Sequence, residues 1–198
     1  MASAFSIRNH RLVEASYVAS PNCDARPPDG GIDLLVIHNI SLPPGEFGTG
    51  CVQRLFRNDL DCDAHPYFDR LRELRVSAHL LIERSGALYQ FVDFDRRAWH
   101  AGQSEYCGRS QCNDFSLGIE LEGTDEQAFT ATQYRTLTDV TCALMDTYPA
   151  LNMERIVGHS DIAPGRKTDP GPCFDWRRYR ADLQERYPAG IGREAGQL

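Results

Sequence analysis

The 198-residue sequence lacks several features that would point to a membrane or secreted protein. No stretch reaches the roughly 18 consecutive apolar residues that a transmembrane helix needs. The opening residues, MASAFSIRNHRLVEASYVASPN, carry charged side chains where a signal peptide requires a continuous apolar segment. We therefore expect a cytoplasmic protein that does not act on a membrane.

Positive charge is also scarce. The formal net charge is -7 at pH 7, and the Lys and Arg residues form no dense cluster of the kind that binds phosphate backbones. Nucleic acid is therefore not an expected partner.

The seven cysteines form no CxxC pair, so a structural zinc site built from such pairs is excluded. Their number is odd and their spacing irregular. Cys107 and Cys112 are close enough in sequence to form a disulfide, but reduced thiols are the expectation for a cytoplasmic protein.

What the chain does contain is typical of one globular domain. Hydrophobic residues make up 41 % and charged residues 25 %, which is ordinary for soluble proteins. The length fits a single domain spanning residues 1–198, with a core over about 16–187. We expect the terminal segments, 1–15 and 188–198, to be loosely ordered.

The first half of the sequence predicts three strands and a long loop. The apolar run before His38 predicts a buried strand that ends at this histidine, followed by the Pro- and Gly-rich loop NISLPPGEFGTG. VQRLFRND is a weak helical candidate. VSAHLLIER and ALYQFVD predict a hairpin that turns at Ser85 and Gly86.

The second half predicts strands that alternate with helices. In FSLGIELEG, period-two alternation places Glu120 and Glu122 on one face. Thr130 is a predicted N-cap of the next helix, RIVGH a short strand, and Asp175 the N-cap of a last helix. This pattern indicates a mixed α/β fold with a central mixed sheet flanked by helices.

The segment GHSDIAPGRKTDPGPCFDW combines possible metal ligands with residues that restrict the backbone. His159 ends a predicted strand and Asp169 follows ten residues later. A catalytic zinc uses three protein ligands, and His38, which also ends a buried strand, is the best-placed third candidate. The alternative is that these strand-end histidines are hydrogen-bonded structural residues.

Two further side chains could take part in chemistry beside such a metal. Lys167 could stabilise an oxyanion, although loop lysines are usually only solvated. Glu120 could act as a general base on water, or it could be an exposed strand carboxylate paired with an arginine.

Several motifs, in order, resemble the zinc-dependent N-acetylmuramoyl-L-alanine amidases, whose fold is shared with peptidoglycan recognition proteins. The resemblance covers residues from about 16 to about 187 and is closest to the cytoplasmic enzymes that act on 1,6-anhydro muropeptides in cell-wall recycling. The motifs are IDLLVIHNIS, RVSAHLLIERSGALYQFV, RAWHAG, CNDFSLGIELEGTD and IVGHSDIAPGRKTDPGPCFDW.

The resemblance implies roles for individual residues. One zinc per chain would be held by His38, His159 and Asp169. Glu120 would be the catalytic base and Lys167 would assist at the scissile carbonyl, which leaves Glu122 a structural role. The implied substrate contacts are Asn39, Arg75, Trp99 and His100. A packing role for Trp99 remains open.

The resemblance also implies a reaction: hydrolysis of the amide between N-acetylmuramic acid and L-alanine in a small muropeptide, by a monomer. The chain departs from the family pattern at Gln111, where these enzymes commonly have an arginine, and Arg109 is a candidate replacement. Two alternatives are a peptidoglycan-binding sensor without catalysis and a secreted amidase acting on intact cell wall.

Overall fold

The computed structural model describes residues 5–28 and 30–187. The four helices within these ranges are α1 (Cys51–Arg57), α2 (Ala131–Thr147), α3 (His159–Ile162) and α4 (Trp176–Arg186). The strands within them are β1 (Ile7–Arg8), β2 (Arg11–Leu12), β3 (Ser16–Tyr17), β4 (Cys23–Ala25), β5 (Leu34–Ile40), β6 (Leu80–Ile82), β7 (Leu88–Gln90), β8 (Arg96–Ala98), β9 (Glu105–Tyr106), β10 (Arg109–Ser110), β11 (Ser116–Glu122) and β12 (Ile156–Gly158).

A six-stranded mixed sheet with the order β12-β5-β11-β6-β7-β3 forms the centre of the fold. β12, β5, β11 and β6 run parallel to one another, β6 and β7 pair in antiparallel fashion, and β7 and β3 are parallel. Glu120 of β11 lies opposite His38 of β5, and Gly158 of β12 lies opposite Ile37. The carboxyl ends of these parallel strands therefore meet at one edge, where ligand sites of such sheets usually form.

The two long strands, β5 and β11, separate two layers. Leu35, Ile37, Leu117 and Ile119 pack with residues of α2 and α4, such as Leu137, in one apolar cluster. The opposite face carries Leu34 and Val36 in a second cluster, followed by His38 and Glu120. The period-two alternation predicted for β11 is therefore confirmed, with the carboxylates on the face away from α2.

Local signals in the sequence place the helices and the turn as predicted. Thr130 and Gln133 form a capping box at the start of α2, and Asp175 caps α4 by accepting a bond from the Arg178 amide. Gly86 has a φ of 87° in the turn between β6 and β7. The weak helical candidate after the Pro- and Gly-rich loop is α1.

The described part of the N-terminal segment, for which the sequence predicts loose order, contains two short strands. β1 and β2 form a hairpin there, and Leu12 is buried in the main apolar cluster. The Leu12 amide donates to Gln90 Oε1 at 2.7 Å, and Gln90 Nε2 donates to the His10 carbonyl at 3.1 Å. These long-range contacts hold the segment. Residues 1–4 and the predicted frayed tail, 188–198, lie outside the described residues.

All seven cysteines are free, so the Cys107–Cys112 disulfide does not form in this structure. No helix within residues 5–28 and 30–187 is both long and apolar enough to cross a bilayer.

The sheet and the helices together form a mixed α/β sandwich around one central sheet, in agreement with the prediction.

Candidate active site

His38, His159 and Asp169 converge at the edge where the parallel strands end. His38 Nδ1 lies 3.0 Å from His159 Nδ1, and Asp169 Oδ2 lies 2.9 Å from the first nitrogen and 3.0 Å from the second. Both histidines are buried and Asp169 is half-buried. The structure therefore brings together the three residues that the sequence suggested as metal ligands.

The local fold explains this convergence. His38 lies on β5, and His159 begins α3 directly after β12, the neighbouring parallel strand. The loop that follows returns so that the Asp169 carbonyl accepts a hydrogen bond from the Ser160 amide at 3.0 Å. Gly158 makes this close return possible, since a Cβ there would lie 2.7 Å from Pro170 Cδ.

The electrostatics favour a neutral imidazole at His38 and an ionised carboxylate at Asp169. Burial lowers the pKa of His38 to about 4. Burial raises the pKa of the Asp169 carboxyl, but contact with the rings of His159 and His38 outweighs this and lowers it overall. At neutral pH the Asp169 carboxylate therefore brings negative charge to the point where the two imidazole nitrogens converge.

This donor set fits a metal ion. Zinc accepts imidazole nitrogen and carboxylate oxygen, and catalytic zinc sites have three protein ligands and one open position. Three such atoms lie within 4.8 Å of one another at the wall of a cavity, where a fourth ligand could enter. The described residues thus include a His/His/Asp cluster able to hold one metal ion.

Glu120 lies on the adjacent strand and lines the same cavity. Its side chain is 9 % exposed, and its buried Oε2 has no hydrogen-bond partner among the described residues. Burial raises its pKa well above the ordinary value, the charge of Asp169 raises it further, and Lys167 opposes both. Glu120 is therefore not the exposed, arginine-paired carboxylate of the alternative interpretation.

The cavity beside these residues has a volume of about 570 Å³. Lys167 is exposed and belongs to its lining. One wall is apolar and is formed by Leu42, Pro44, Leu55, Phe56, Tyr67, Leu71, Leu74 and Val76. The site can therefore accept a ligand that presents both a polar reacting group and an apolar surface.

The predicted substrate contacts lie at different places around this cavity. Asn39 and Trp99 belong to its lining and are half-buried. Asn39 Nδ2 donates to Asp125 Oδ1 at 2.7 Å. Arg75 is exposed beside the lining residues Leu74 and Val76, and its NH1 donates to backbone carbonyls.

His100 also belongs to the lining, but both of its ring nitrogens contact protein groups. Nδ1 lies 3.0 Å from His38 Nε2, and Nε2 lies 3.2 Å from Ser116 Oγ. Whether it contacts substrate stays a prediction.

Arg109 and Glu122, which the sequence analysis also considered, do not belong to the cavity lining. Arg109 NH1 donates to Asp33 Oδ2 at 2.6 Å, and its guanidinium stacks 3.7 Å above the Phe115 ring. The structure therefore does not support Arg109 as the replacement for the arginine missing at Gln111. Glu122 accepts bonds from the Gly48 and Arg84 amides, as expected for a structural carboxylate.

Sequence reasoning missed several polar residues of the lining, among them Asp125 and Arg166. Asp125 contacts Asn39, and Arg166 NH2 donates to the Ala101 carbonyl at 2.8 Å. Asp125 follows β11 at its carboxyl end, which is a usable signal. Arg166 carries no such signal, because its position depends on how the loop after α3 folds back.

Comparison with known proteins identifies the family. Residues 28–172 match the model of the family described as N-acetylmuramoyl-L-alanine amidase, Amidase_2. The chain belongs to this family. The match includes all of β5, β11 and β12, and with them the His/His/Asp cluster and Glu120.

Relatives within the amidase family cover most of the chain. The 1,6-anhydro-N-acetylmuramyl-L-alanine amidase AmpD of Escherichia coli (strain K12) is 58 % identical over 169 residues, which are 85 % of this chain and 92 % of that protein. AmpD of Haemophilus influenzae is 51 % identical over 173 residues, 87 % of this chain and 94 % of that protein. The family predicted from the motifs is confirmed.

Solved amidase structures show the same fold. The crystal structure of a selenomethionine AmpD derivative has a TM-score of 0.87 and 56 % identity, covering 89 % of this chain and 98 % of that chain. AmiD from E. coli in complex with anhydro-N-acetylmuramic acid-L-Ala-D-gamma-Glu-L-Lys has a TM-score of 0.56 and 27 % identity, covering 91 % of this chain and 66 % of that chain. The predicted fold class is confirmed.

Proposed function

We propose that this protein hydrolyses the amide bond between 1,6-anhydro-N-acetylmuramic acid and L-alanine in muropeptides released for peptidoglycan recycling. The observation that carries the proposal is the convergence of His38, His159 and Asp169 on a cavity that Glu120 also lines, with its buried Oε2 unpaired among the described residues. The names of the relatives supply the substrate class.

The metal of this proposal is one zinc ion per chain, held by His38, His159 and Asp169. The donor set supports zinc because imidazole and carboxylate are both common zinc ligands. When bound there, zinc would supply Lewis-acid chemistry that polarises an amide carbonyl and acidifies water.

Glu120 is the proposed general base and acid. Its carboxylate would accept a proton from the attacking water and then donate it to the leaving amine of L-alanine, and its raised pKa favours holding that proton until the donation. Lys167 carries the charge needed to stabilise the oxyanion that develops on the carbonyl. Its influence on the Glu120 pKa supports a position near the reaction point.

Substrate binding is assigned to the residues around the cavity. Asn39 and Trp99 are proposed to contact the muramyl group, since both belong to the lining. Arg75 lies outside the lining, and we propose that it binds a carboxylate of the stem peptide where the peptide leaves the cavity. The apolar wall excludes water from part of the bound ligand.

Zinc content and peptide release, measured before and after chelation, test the proposed function. We expect one zinc per chain and rapid release of peptide from anhydro-muramyl-tripeptide, lost with a chelator and restored by zinc. Intact sacculi should be cleaved little. Tight binding of the muropeptide without cleavage by the zinc-loaded protein would instead support the sensor alternative.

A cytoplasmic location and a monomeric state are further parts of the proposal. Seven free thiols fit a reducing compartment. Cell fractionation and size-exclusion chromatography with light scattering measure the two properties directly. Activity confined to a periplasmic or extracellular fraction would favour the secreted amidase.

A further inference from the structure

Two consecutive residues, His100 and Ala101, each contact one histidine of the His/His/Asp cluster, on the side of the ring that points away from Asp169. His100 Nδ1 lies 3.0 Å from His38 Nε2, and the Ala101 carbonyl oxygen lies 3.0 Å from His159 Nε2. In each histidine it is the other nitrogen, Nδ1, that faces Asp169. His100 and Ala101 are therefore the hydrogen-bond partners of the two Nε2 atoms, the ring nitrogens that point away from the cluster.

The direction of each hydrogen bond near His38 follows from Ser116. Its hydroxyl has one proton, which it donates to the Cys112 carbonyl at 2.5 Å. Ser116 Oγ can therefore only accept from His100 Nε2, so the neutral His100 ring has its lone pair on Nδ1. His38 Nε2 must then donate to His100, which leaves the lone pair of His38 on Nδ1.

The same reasoning applies to His159 in one step. A carbonyl oxygen only accepts, so His159 Nε2 donates to Ala101 and the neutral ring has its lone pair on Nδ1. Both lone pairs thus point to the place where Asp169 Oδ2 lies. A metal ion requires this tautomer of both rings, because it binds a nitrogen that carries no proton.

Other contacts hold the segment in place. Asn113 Oδ1 accepts from the His100 amide at 3.1 Å and from the Ala101 amide at 2.8 Å. Gly118 leaves room for the imidazole, since a Cβ at that position would lie 2.5 Å from His100 Cγ. The His100 side chain is buried, and neither of its nitrogens is left to bind a ligand in the cavity.

We propose that His100 is a positioning residue for the metal site, which fixes the orientation and tautomer of His38, and not a hydrogen-bonding contact to substrate. The Ala101 carbonyl does the same for His159. This inference rests on the proposed function for the identity of the metal, but the hydrogen-bond directions depend only on the residues themselves.

Zinc affinity and the Michaelis constant together distinguish the two roles of His100. In His100→Leu, which removes the acceptor, we expect zinc affinity to fall by about 10- to 100-fold in competition with a chromogenic chelator. KM for anhydro-muramyl-tripeptide at saturating zinc should stay near the wild-type value. His100→Asn places an amide oxygen near the former Nδ1 position and should restore most of the affinity.

Two control variants separate positioning from other effects. Leu137→Ala destabilises the core far from the cluster and should leave zinc affinity unchanged. Trp99→Phe alters a proposed substrate contact and should change KM but not zinc affinity. Unchanged zinc affinity with a raised KM in His100→Leu would overturn the proposal.

Imidazole 15N NMR of the full-length protein, before zinc is added, tests the inference even if the proposed function fails. We expect His38 and His159 to carry their proton on Nε2, and the His38 signals to shift toward the Nδ1-protonated form in His100→Leu but less in His100→Asn. A protonated His38 Nδ1 in the wild type would overturn the inference. Failure of the wild type to bind zinc or cleave the muropeptide would instead overturn the proposed function.

Discussion

The two faces of β5 and β11 differ toward the carboxyl ends of these strands, where alternate residues face the helices or the cavity. Leu35, Ile37 and Ile119 face the helices and are entirely buried among apolar side chains. His38 and Glu120, one residue away, are also buried but face the cavity. One face is built to be stable, and the other keeps polar groups in an environment that does not satisfy them all.

This difference shows how the fold supports a reactive site. Apolar burial on the helix side supplies the stability, at roughly 25 cal/mol per Å² of surface removed from water. This stability permits the Glu120 carboxyl to remain buried with its Oε2 unpaired among the described residues, and the burial raises its pKa. Changes on the cavity face should therefore affect activity most, and changes on the helix face should affect stability.

The largest expected effect is on the cavity face, in Glu120→Gln. Loss of the proposed general base should lower kcat by roughly 10²- to 10⁴-fold while zinc content stays at the proposed one per chain. Stability should not decrease, because the amide removes a buried ionisable group. Steady-state kinetics, metal analysis and urea unfolding measure these quantities.

Glu122→Gln is the matched control, on the same strand face two residues away. It weakens acceptance from the Gly48 and Arg84 amides, so it should lower stability while retaining far more activity than Glu120→Gln. Full activity in Glu120→Gln would refute the assignment of the base and the contrast between these two carboxylates.

The next largest effect is expected on the helix face, in Leu137→Ala. Leu137 lies on α2 and is fully buried in the main apolar cluster. Its truncation should therefore lower the free energy of unfolding by about 2–5 kcal/mol. The kcat of the folded protein should be retained. Val13→Ala, at a 53 % exposed position, is the control and should change stability by less than about 0.5 kcal/mol. Loss of zinc binding in Leu137→Ala would mean that the two faces are not independent.

The sequence predicts the helix face better than the cavity face, for a physical reason. Apolar periodicity and capping signals are local, so β11, the N-cap of α2 at Thr130 and the hairpin turn at Gly86 all form as predicted. The convergence of His38 and His159 was also within reach, because parallel strands end at one edge of a sheet.

Contacts between residues distant in sequence could not be predicted in this way. The N-terminal hairpin is held by such contacts, among them the hydrogen bonds of Gln90 and the packing of Leu12. The bonds of His100 depend on where the Asn113 side chain lies after folding. Arg75 carries a motif match, but a motif does not show whether a side chain reaches the cavity lining.

A pH effect of intermediate size is expected from His79, a buried histidine next to β11. Its Nδ1 accepts from the Gly118 amide at 3.0 Å and its Nε2 donates to the Arg96 carbonyl at 3.1 Å, so the neutral ring is required. Burial, and then the charge of Arg26, lower its pKa well below 6.5. The contribution of His79 to stability is full above the unfolded pKa of about 6.5 and is lost as pH falls.

The variant His79→Gln tests this sign. The wild type should lose up to about 1.4 kcal/mol of stability per pH unit through His79 as pH falls from about 6.5 to about 5.5. The variant should be less stable at neutral pH. Its free energy of unfolding, measured with urea across this range, should depend less steeply on pH, because up to one proton fewer is taken up on unfolding. Equal slopes would show that His79 can be protonated in the folded protein.

The smallest effect is expected at the edge of the helix face, in Thr130→Ala. The Thr130 side chain accepts from the Gln133 amide at 3.1 Å and donates to the Arg84 carbonyl at 2.9 Å. Its loss should lower the free energy of unfolding by about 1 kcal/mol. Thr130→Ser keeps the hydroxyl and should recover most of this. The buried apolar residues of α2 belong to the cluster on the face away from the cavity, so kcat and zinc affinity should be unchanged in both variants. A fall in either quantity would show that the N-cap of α2 also influences the residues that face the cavity.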